Sequence, residues 1–536
     1  MVWLALQTTP VQNWLVKKVT NRLSRDLHTT VSIKHVDFAL FNKMSLEGTL
    51  IKDRLEDTLL YAGALKVNIT DWFFFKDKIE LKYLGLQDAQ INLTRTDSIW
   101  NYRFIIDYFA GPKETAGSKG TINLDLKTID LDNVTLLQKD AWRGEDMALR
   151  FSNLDIDAQQ VSLVNKQLYL NTVIIDKPLF AIFNYDGNRP DSLRPKSKDT
   201  IYSNDPKNLR WNNGDWDIRI ASLKLKDGTF KSDVDNKRKP YEYFDGAHIQ
   251  FSDIQADFRD MRFKQDSIIG KMKLSTIERS GLVVKHLNAD LRWHPEAMEF
   301  RNLDLQTNRS HLHRYFVMRY NTFDDMGDFI TKVRMEGDFD EAELDSDDIA
   351  YFAPELKDWK KKVRINGKVR GSIDNLSAKN ITIESGQNAY LKGNISLRGL
   401  PDIDKTFIDF EATDFRTTYR DAIAIIPQLR NITQPRLDHV EYIRFRGNFT
   451  GFVKDFVTYG TIETNLGTLV TDVNMKFPDV GHTNYNGNIR TNGFDLGKFL
   501  DVPQLGRISF KGNINGRGLK TGNLNAKLDG DIYSIE

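Results

Sequence analysis

The stretch LGLQDAQI, residues 84–91, decides the fold class, because its apolar side chains recur at every second position before an aspartate. The same order of residue types returns as IDLDNVTL at 129–136 and as LKLKDGTF at 223–230. Alternation with a period of two is typical of a β-strand that buries one face. Aspartate, asparagine and glycine enter tight turns at little cost, so each unit predicts a strand, a turn and a second strand.

The composition agrees with a fold built from strands. Ile, Val, Leu, Phe, Thr and Asn are abundant, and 34 glycines punctuate the apolar runs. A chain of 536 residues has room for several ordinary domains or for one extended repeat array. The sequence predicts a mostly β protein whose elongated, curved sheet forms a repeating groove, with an N-terminal amphipathic helix and a few short helices.

The helical exception to this pattern lies near the start of the chain. Between residues 11 and 28, apolar residues recur at every fourth position from Val11 to Leu23, and the remaining positions carry several basic side chains. This spacing predicts an amphipathic helix that caps the groove by covering the first sheet edge. Its basic face could also lie near anionic lipid headgroups. The apolar residues within 1–10 are interpreted as the remnant of a membrane anchor.

A second kind of repeat occupies the C-terminal part of the chain. Three units share a Phe, then Pro-x-Leu, then Gly-x-x-x-Gly, and they span about 339–400, 415–480 and 494–536. Each unit predicts a short helix or turn followed by several strands. We therefore predict one groove region at 29–335 and three groove repeats at 336–536, the last of them truncated within a strand.

The alternating apolar side chains are the candidate functional residues. Few predicted helices are available to cover so much sheet, so its apolar face either packs on itself or holds an apolar ligand. Lipid acyl chains are the natural candidates, and the mechanism would be passive shielding without covalent chemistry. The residues predicted to line such a lipid groove are Leu84, Leu86, Ile129, Leu131, Leu223, Leu225, Ile365, Ile508 and Phe510.

Other classes of function find little support. The balance of 75 basic against 74 acidic residues argues against nucleic-acid binding, and the absence of cysteine excludes thiolate chemistry. No nucleophile-elbow or phosphate-loop motif is present. We therefore predict no enzyme activity and no cofactor.

Two clusters could suggest a metal site. His311-x-His313 places two rings on one strand face, but we expect no carboxylate or third histidine at metal spacing nearby. The acidic run from Asp345 to Asp348 lacks the glycine and the later glutamate of a calcium loop, so we interpret it as a helix N-cap. The sequence thus predicts no metal.

Diffuse motifs resemble a known family. The run from Thr9 to Leu15, the pair Leu23-Ser24, Val31-Ser32-Ile33 and the run from Asp57 to Ala62 resemble the opening of the TamB (translocation and assembly module) branch of AsmA-like proteins, in the version found in Bacteroidota. The Phe … Pro-Gln-Leu … Gly units are also similar to that branch. The similarity covers essentially the whole chain, but it consists of turn and apolar positions rather than catalytic signatures.

The resemblance implies a Gram-negative envelope protein. Such proteins are anchored in the inner membrane by one N-terminal helix and cross the periplasm as a long β-groove. The implied functions are phospholipid transport between the membranes and assembly of outer-membrane proteins with a barrel partner, which a C-terminal region beyond this chain would bind. The alternative is a structural scaffold or chaperone that guides outer-membrane proteins by edge-strand pairing. A continuously apolar inner face would favour lipid, and buried charges would favour the scaffold.

Overall fold

The computed structural model describes residues 8–39, 43–69, 79–110, 122–162, 165–193, 209–212, 214–354, 357, 360–425, 429–430, 432, 435–479, 482–518, 522 and 525–536. The chain forms two compact units, unit 1 up to Glu296 and unit 2 from Ala297 onwards. Both consist mostly of β-strands with a few short helices, which confirms the predicted fold class at that level.

The described residues of unit 1 form two α-helices, α1 (Thr9–Leu27) and α2 (Arg103–Ala110). Its strands are β1 (Val31–Ser32), β2 (His35–Ala39), β3 (Lys43–Lys52), β4 (Thr58–Ile69), β5 (Ile79–Arg95), β6 (Ile122–Asp140), β7 (Glu145–Ser162), β8 (Gln167–Asp176), β9 (Leu179–Asn184), β10 (Asp217–Val234), β11 (His248–Lys264), β12 (Ser267–Glu278) and β13 (Val283–His294).

The strands of unit 1 pair mostly with their neighbours in sequence. β1 and β2 both pair with β3, and β3 to β5 form antiparallel ladders. β5 and β6 are parallel, and the chain between them contains α2. β8 and β9 lie one after the other between β7 and β10, antiparallel to β7 and parallel to β10. β10 to β13 are again antiparallel.

Helix α1 lies against the first strands and begins two residues before the range 11–28 predicted for the capping helix. Ser24 Oγ accepts a hydrogen bond from the backbone N–H of Val31 at 2.9 Å, which joins the end of the helix to β1. Leu27 packs with Val31, Leu59 and Phe104 in one buried cluster. Residues 1–7 of the predicted anchor remnant lie outside the described residues, and Thr9 and Pro10 already belong to α1.

The predicted turns at residues 88, 133 and 227 are wrong. Asp88, Asn133 and Asp227 lie inside β5, β6 and β10, where they adopt φ angles of 50°, 49° and 53°. The β10–β11 register skips Asp227, so the extra residue forms a β-bulge instead of ending the strand. A bulge keeps both flanking apolar residues on one face, which explains why the apolar spacing changes from two to three at this point.

In the part of unit 2 that the structure describes, the α-helices are four short ones, α3 (Phe329–Lys332), α4 (Ser346–Ile349), α5 (Tyr419–Ile425) and α6 (Leu496–Leu500). Its strands are β14 (Ala297–Gln306), β15 (His311–Arg319), β16 (Arg334–Asp345), β17 (Lys362–Ser372), β18 (Asn375–Ser385), β19 (Ala389–Arg398), β20 (Phe407–Thr418), β21 (Tyr442–Phe452), β22 (Asp455–Thr464), β23 (Gly467–Asp479), β24 (His482–Asp495), β25 (Arg507–Arg517) and β26 (Asn525–Ile535).

Every strand of unit 2 pairs antiparallel with the next one along the chain. The three predicted repeats share one order, in which a strand leads into a short helix (α4, α5 or α6) and the ladder continues. Unit 2 begins at Ala297, so β14 and β15 precede the first predicted repeat, which starts at 336. Glu355, Leu356, Pro427 and Gln428 of the Pro-x-Leu motifs lie outside the described residues.

The glycine pairs of these repeats lie within strands and not in turns. Gly371 in β17 has a φ of 121°, and a Cβ there would meet the carbonyl oxygen of Asn375 at 2.0 Å. Only glycine is free of both the conformational cost and the steric conflict at this position.

Candidate functional site

The six groove residues predicted in unit 1 lie side by side on one face of its sheet. Across neighbouring strands Leu84 pairs with Ile129, and Leu86 pairs with Leu131. Leu223 and Leu225 continue the same two rows on β10, linked through β7 and β8. The sequence alternation therefore predicted the face correctly, although it could not predict which strands are neighbours.

These residues belong to two cross-strand rows that contain only apolar side chains. Row 1 consists of Val36, Leu46, Leu65, Leu86, Leu131, Leu154, Ile175, Leu225, Ala256, Leu274 and Leu287. Row 2 consists of Met44, Val67, Leu84, Ile129, Ile156, Val173, Leu223, Phe258, Met272 and Ala289. Neither row is interrupted by a titratable group.

Most of these side chains are half-buried. All six of the predicted residues fall in this class, and the buried members of the two rows are Val36, Val67, Val173, Ala256, Met272 and Ala289. In a core that other elements of the chain cover, large aliphatic side chains are usually fully buried. Within the described residues, rows 1 and 2 thus keep apolar surface accessible.

The opposite face of the same strands is polar. Between rows 1 and 2 lies a row of residues whose side chains point to this opposite face. It consists of Asp37, Ser45, Lys66, Gly85, Asp130, Asp155, Ile174, Lys224, Asp257, Lys273 and Asn288. One face therefore faces water, while the other offers apolar surface.

In unit 2 the predicted residues also lie on an apolar face. Row 3 contains Ile365 and Phe510 and consists of Ala342, Ile365, Ile383, Leu391, Phe415, Phe445, Ile462, Leu469, Thr491, Phe510 and Ile532. Ile508 lies two residues from Phe510 and pairs with Phe494. Ile508 and Phe510 are buried, whereas Ile365 is half-buried.

A further row on that face of unit 2 combines phenylalanine with aliphatic residues and two glycines. Row 4 consists of Phe300, Phe316, Gly337, Val369, Ala378, Ile395, Phe410, Phe449, Thr458, Val473, Gly487, Ile514 and Leu528. The ring of Phe339 lies over Gly337, where a Cβ would meet it at 2.4 Å. Phenylalanine rings of unit 2 thus fill space that its glycines leave.

The polar face of unit 2 carries a cleft of about 250 Å³ lined by Asp414, Arg416, Arg444, Arg446, Thr461 and Glu463. Arg416 lies directly across from Arg444 and hydrogen-bonds Asp414, an interaction that lowers the pKa of that carboxyl group. The cleft is polar and lies on the other side of the sheet from row 3, so it does not extend the apolar face.

The structure brings an acidic residue to the predicted histidine pair. His311 and His313 lie on one face of β15, and Asp304 of β14 is the register partner of His313. Asp304 Oδ1 lies 2.7 Å from Nε2 of His311 and 3.5 Å from Nδ1 of His313. The expectation of no nearby carboxylate is therefore wrong. Sequence spacing missed Asp304 because a β-bulge at Asn302 sets the register.

The acidic run beside α4 acts as predicted. Asp345 Oδ1 accepts the backbone N–H of Asp347 at 2.9 Å as the helix N-cap. Buried Asp348 accepts hydrogen bonds from the backbone N–H groups of Arg309 and Ser310 at 3.0 and 2.7 Å. This run anchors the β14–β15 turn, a structural role.

No protein-family model matches this chain, and no curated protein matches it either. Among the described residues, no helix has the length and apolar character needed to cross a membrane. The function therefore has to be argued from the two faces of the sheet.

Proposed function

We propose that this chain is a lipid-shielding β-groove of the Gram-negative cell envelope, related to the TamB branch of AsmA-like proteins. Acyl chains would lie along rows 1 and 2 while their headgroups stay in water, and no covalent step would occur. The observation that carries the proposal is the unbroken apolar register from β2 to β13 on an accessible face.

The dimensions of the rows suit this ligand. At about 4.8 Å between neighbouring strands, row 1 runs for roughly 48 Å. One leaflet contributes only about 15 Å to the hydrocarbon core of a bilayer, so an extended acyl chain would fit along the row. Burying apolar surface contributes about 25 cal/mol per Å², which is sufficient to hold a chain without a specific polar contact.

A curved sheet would suit the same purpose, and the bulges support curvature. Asp88 and Asn133 are neighbours in the parallel β5–β6 ladder, and Asn133 Nδ2 donates to Asp88 Oδ1 at 2.6 Å. Asp227 and Asp253 continue the set of bulged positions on β10 and β11. Bulges bend a strand and increase its twist, so aligned bulges favour a sheet that curves around its apolar face.

In this proposal the protein is anchored in the inner membrane, lies mainly in the periplasm, and transfers phospholipid towards the outer membrane. Exposed basic residues of α1, Lys17, Lys18, Arg22 and Arg25, would suit an anionic membrane surface. A barrel partner in the outer membrane belongs to the same proposal.

The alternative is a scaffold for outer-membrane protein assembly, which would pair a client strand with a sheet edge by backbone hydrogen bonding. The absence of charge from rows 1 and 2 nevertheless weighs towards lipid.

The decisive experiment places the same photo-crosslinking amino acid at position 225 or 226 of the full chain in cells. Leu225 lies in row 1, and Lys226 is exposed on the opposite face. We expect lipid crosslinks at 225 at least tenfold above those at 226, and loss of co-purifying phospholipid in Leu225→Asp. Equal crosslinking at both positions, or none at 225, would overturn the lipid proposal. Protein crosslinks at Leu528 without lipid at 225 would favour the scaffold.

A further inference from the structure

The cluster formed by Asp304, His311 and His313 has the chemistry of a metal site. The two imidazoles offer nitrogen ligands from one strand, with their ring centroids 3.7 Å apart, and the carboxylate comes from the neighbouring strand. Nitrogen and oxygen donors of this kind are those that Zn²⁺ prefers, and three protein ligands leave one position for water.

The donor distances fit such a site. Bonds of about 2.1 Å in a tetrahedral arrangement place neighbouring donors roughly 3.4 Å apart. The carboxylate oxygen lies 2.7 Å from Nε2 of His311 and 3.5 Å from Nδ1 of His313. Two imidazoles on one tetrahedral ion have ring centroids roughly 5 Å apart. The two rings, whose centroids are now 3.7 Å apart, must therefore turn away from each other when the ion binds. The three side chains are 36 to 40% exposed, which leaves an open path for an ion and its water.

Backbone geometry produces this cluster. The β14–β15 register shifts between Arg301 and Leu303 because Asn302, with a φ of 49°, is an extra residue in β14. Without the shift, His313 would face Leu303, and Asp304 would point to the other side of the sheet. The bulge therefore places the one carboxylate of β14 that can meet both rings.

Neighbouring charges do not oppose a cation at this point. Arg309 and Arg314 flank the histidines in sequence, but they pair with Asp347 at 2.6 Å and Asp338 at 3.2 Å. Glu343 on β16 is the register partner of His311, and its carboxylate forms an ion pair with Lys362.

We propose that Asp304 Oδ1, His311 Nε2 and His313 Nδ1 bind one Zn²⁺ ion, with water as the fourth ligand. The ion joins β14 to β15 on the face where both rings lie. A histidine–carboxylate pair with a purely structural role exists in unit 1, where His248 Nδ1 lies 3.1 Å from Asp233 Oδ1, and it supplies the matched control.

The test uses the full, untagged chain after treatment with a chelator. Equilibrium dialysis with Zn²⁺ alone should find one site that weakens at least tenfold in His313→Gln and in the isosteric Asp304→Asn, but not in His248→Gln. Zn²⁺ should also raise the melting temperature of the wild type and of His248→Gln only. Equal Zn²⁺ affinity in all four proteins would overturn the proposal.

A second measurement does not depend on variants that fold. Co²⁺ in a tetrahedral nitrogen–oxygen site absorbs visible light far more strongly than hydrated Co²⁺. We expect the wild-type chain to show this band saturating at one equivalent and disappearing when Zn²⁺ is added. A wild-type chain without a saturable band contains a hydrogen-bonded histidine–carboxylate cluster only, and the site is then rejected.

Discussion

Units 1 and 2 build an apolar sheet face in different ways. In unit 1, rows 1 and 2 consist almost entirely of aliphatic side chains, and Asp or Asn occupies the bulges. In unit 2, rows 3 and 4 combine phenylalanine rings with aliphatic side chains, and several rings, including Phe410, Phe445 and Phe510, are buried. The chain thus covers part of the face itself in unit 2, whereas unit 1 leaves a more even apolar surface for a ligand.

The largest expected effect tests the dependence of unit 2 on glycine. Gly371→Ala forces a side chain into a φ of 121° and against the Asn375 carbonyl, so we expect a loss of about 3 kcal/mol in unfolding free energy. Gly63→Ala in unit 1 is the control, because its Cβ would have no contact closer than 3.1 Å and its φ is not in the left-handed range. There the loss should stay below about 1 kcal/mol. Urea titration followed by hydrogen exchange of each unit measures both, and equal losses would contradict the comparison.

The next largest effect is loss of stability in acid, which we expect to be greater in unit 1 than in unit 2. Burial alone would raise the pKa of Asp245, but hydrogen bonds from Arg238 and from the backbone N–H groups of Tyr241 and Ala247 outweigh it and lower the pKa to about 2. The pKa of Asp245 is thus lower in the folded state than the value near 3.8 in the unfolded chain. The ionised carboxylate therefore stabilises the fold above pH 3.8, and this stabilisation is lost as the pH falls towards 2. The difference corresponds to about 2 kcal/mol.

A matched carboxylate in unit 2 sharpens this contrast. Arg436 lowers the pKa of Asp438 to about 2 as well, but that carboxylate is 44% exposed, so solvent screening leaves less than about 1 kcal/mol. Between pH 6 and 3, Asp245→Asn should therefore flatten the fall in stability, while Asp438→Asn leaves it nearly unchanged. Tryptophan fluorescence follows unit 1, because every tryptophan but Trp359 precedes residue 297, and hydrogen exchange follows unit 2. Identical pH profiles for both variants would refute the difference.

The sequence predicted the faces better than the connections. Alternation identified Leu84, Leu86, Ile129 and Leu131 as one face, because a period of two survives any arrangement of neighbouring strands. The parallel pairing of β5 with β6 could not be predicted, since Leu86 and Leu131 are joined by a crossover with no sequence signal for its direction. The burial of these side chains could not be predicted either, because it depends on which other residues cover the face and not on the residues of the face itself.

The bulges and the histidine cluster show a second limit. At residues 84–91 the apolar spacing changes once from two to three, which a turn and a bulge both explain locally. Only the ladder on both sides of Asp88 decides between them. The contact of Asp304 with the histidines could not be predicted for a similar reason. A one-residue register shift determines whether Asp304 lies opposite His313.

The smallest effects compare bulge residues between the units. Asn133 in unit 1 tolerates its left-handed backbone, whereas exposed Glu341 in unit 2 adopts a φ of 48° without that preference. Asn133→Ala should cost about 1 kcal/mol and Asn133→Gly much less, while Glu341→Asn should stabilise by about 0.5 kcal/mol. Urea midpoints of the three variants measure these values. A destabilised Glu341→Asn would mean that the glutamate side chain contributes more than its backbone costs, and the bulges of the two units would then be equally optimised.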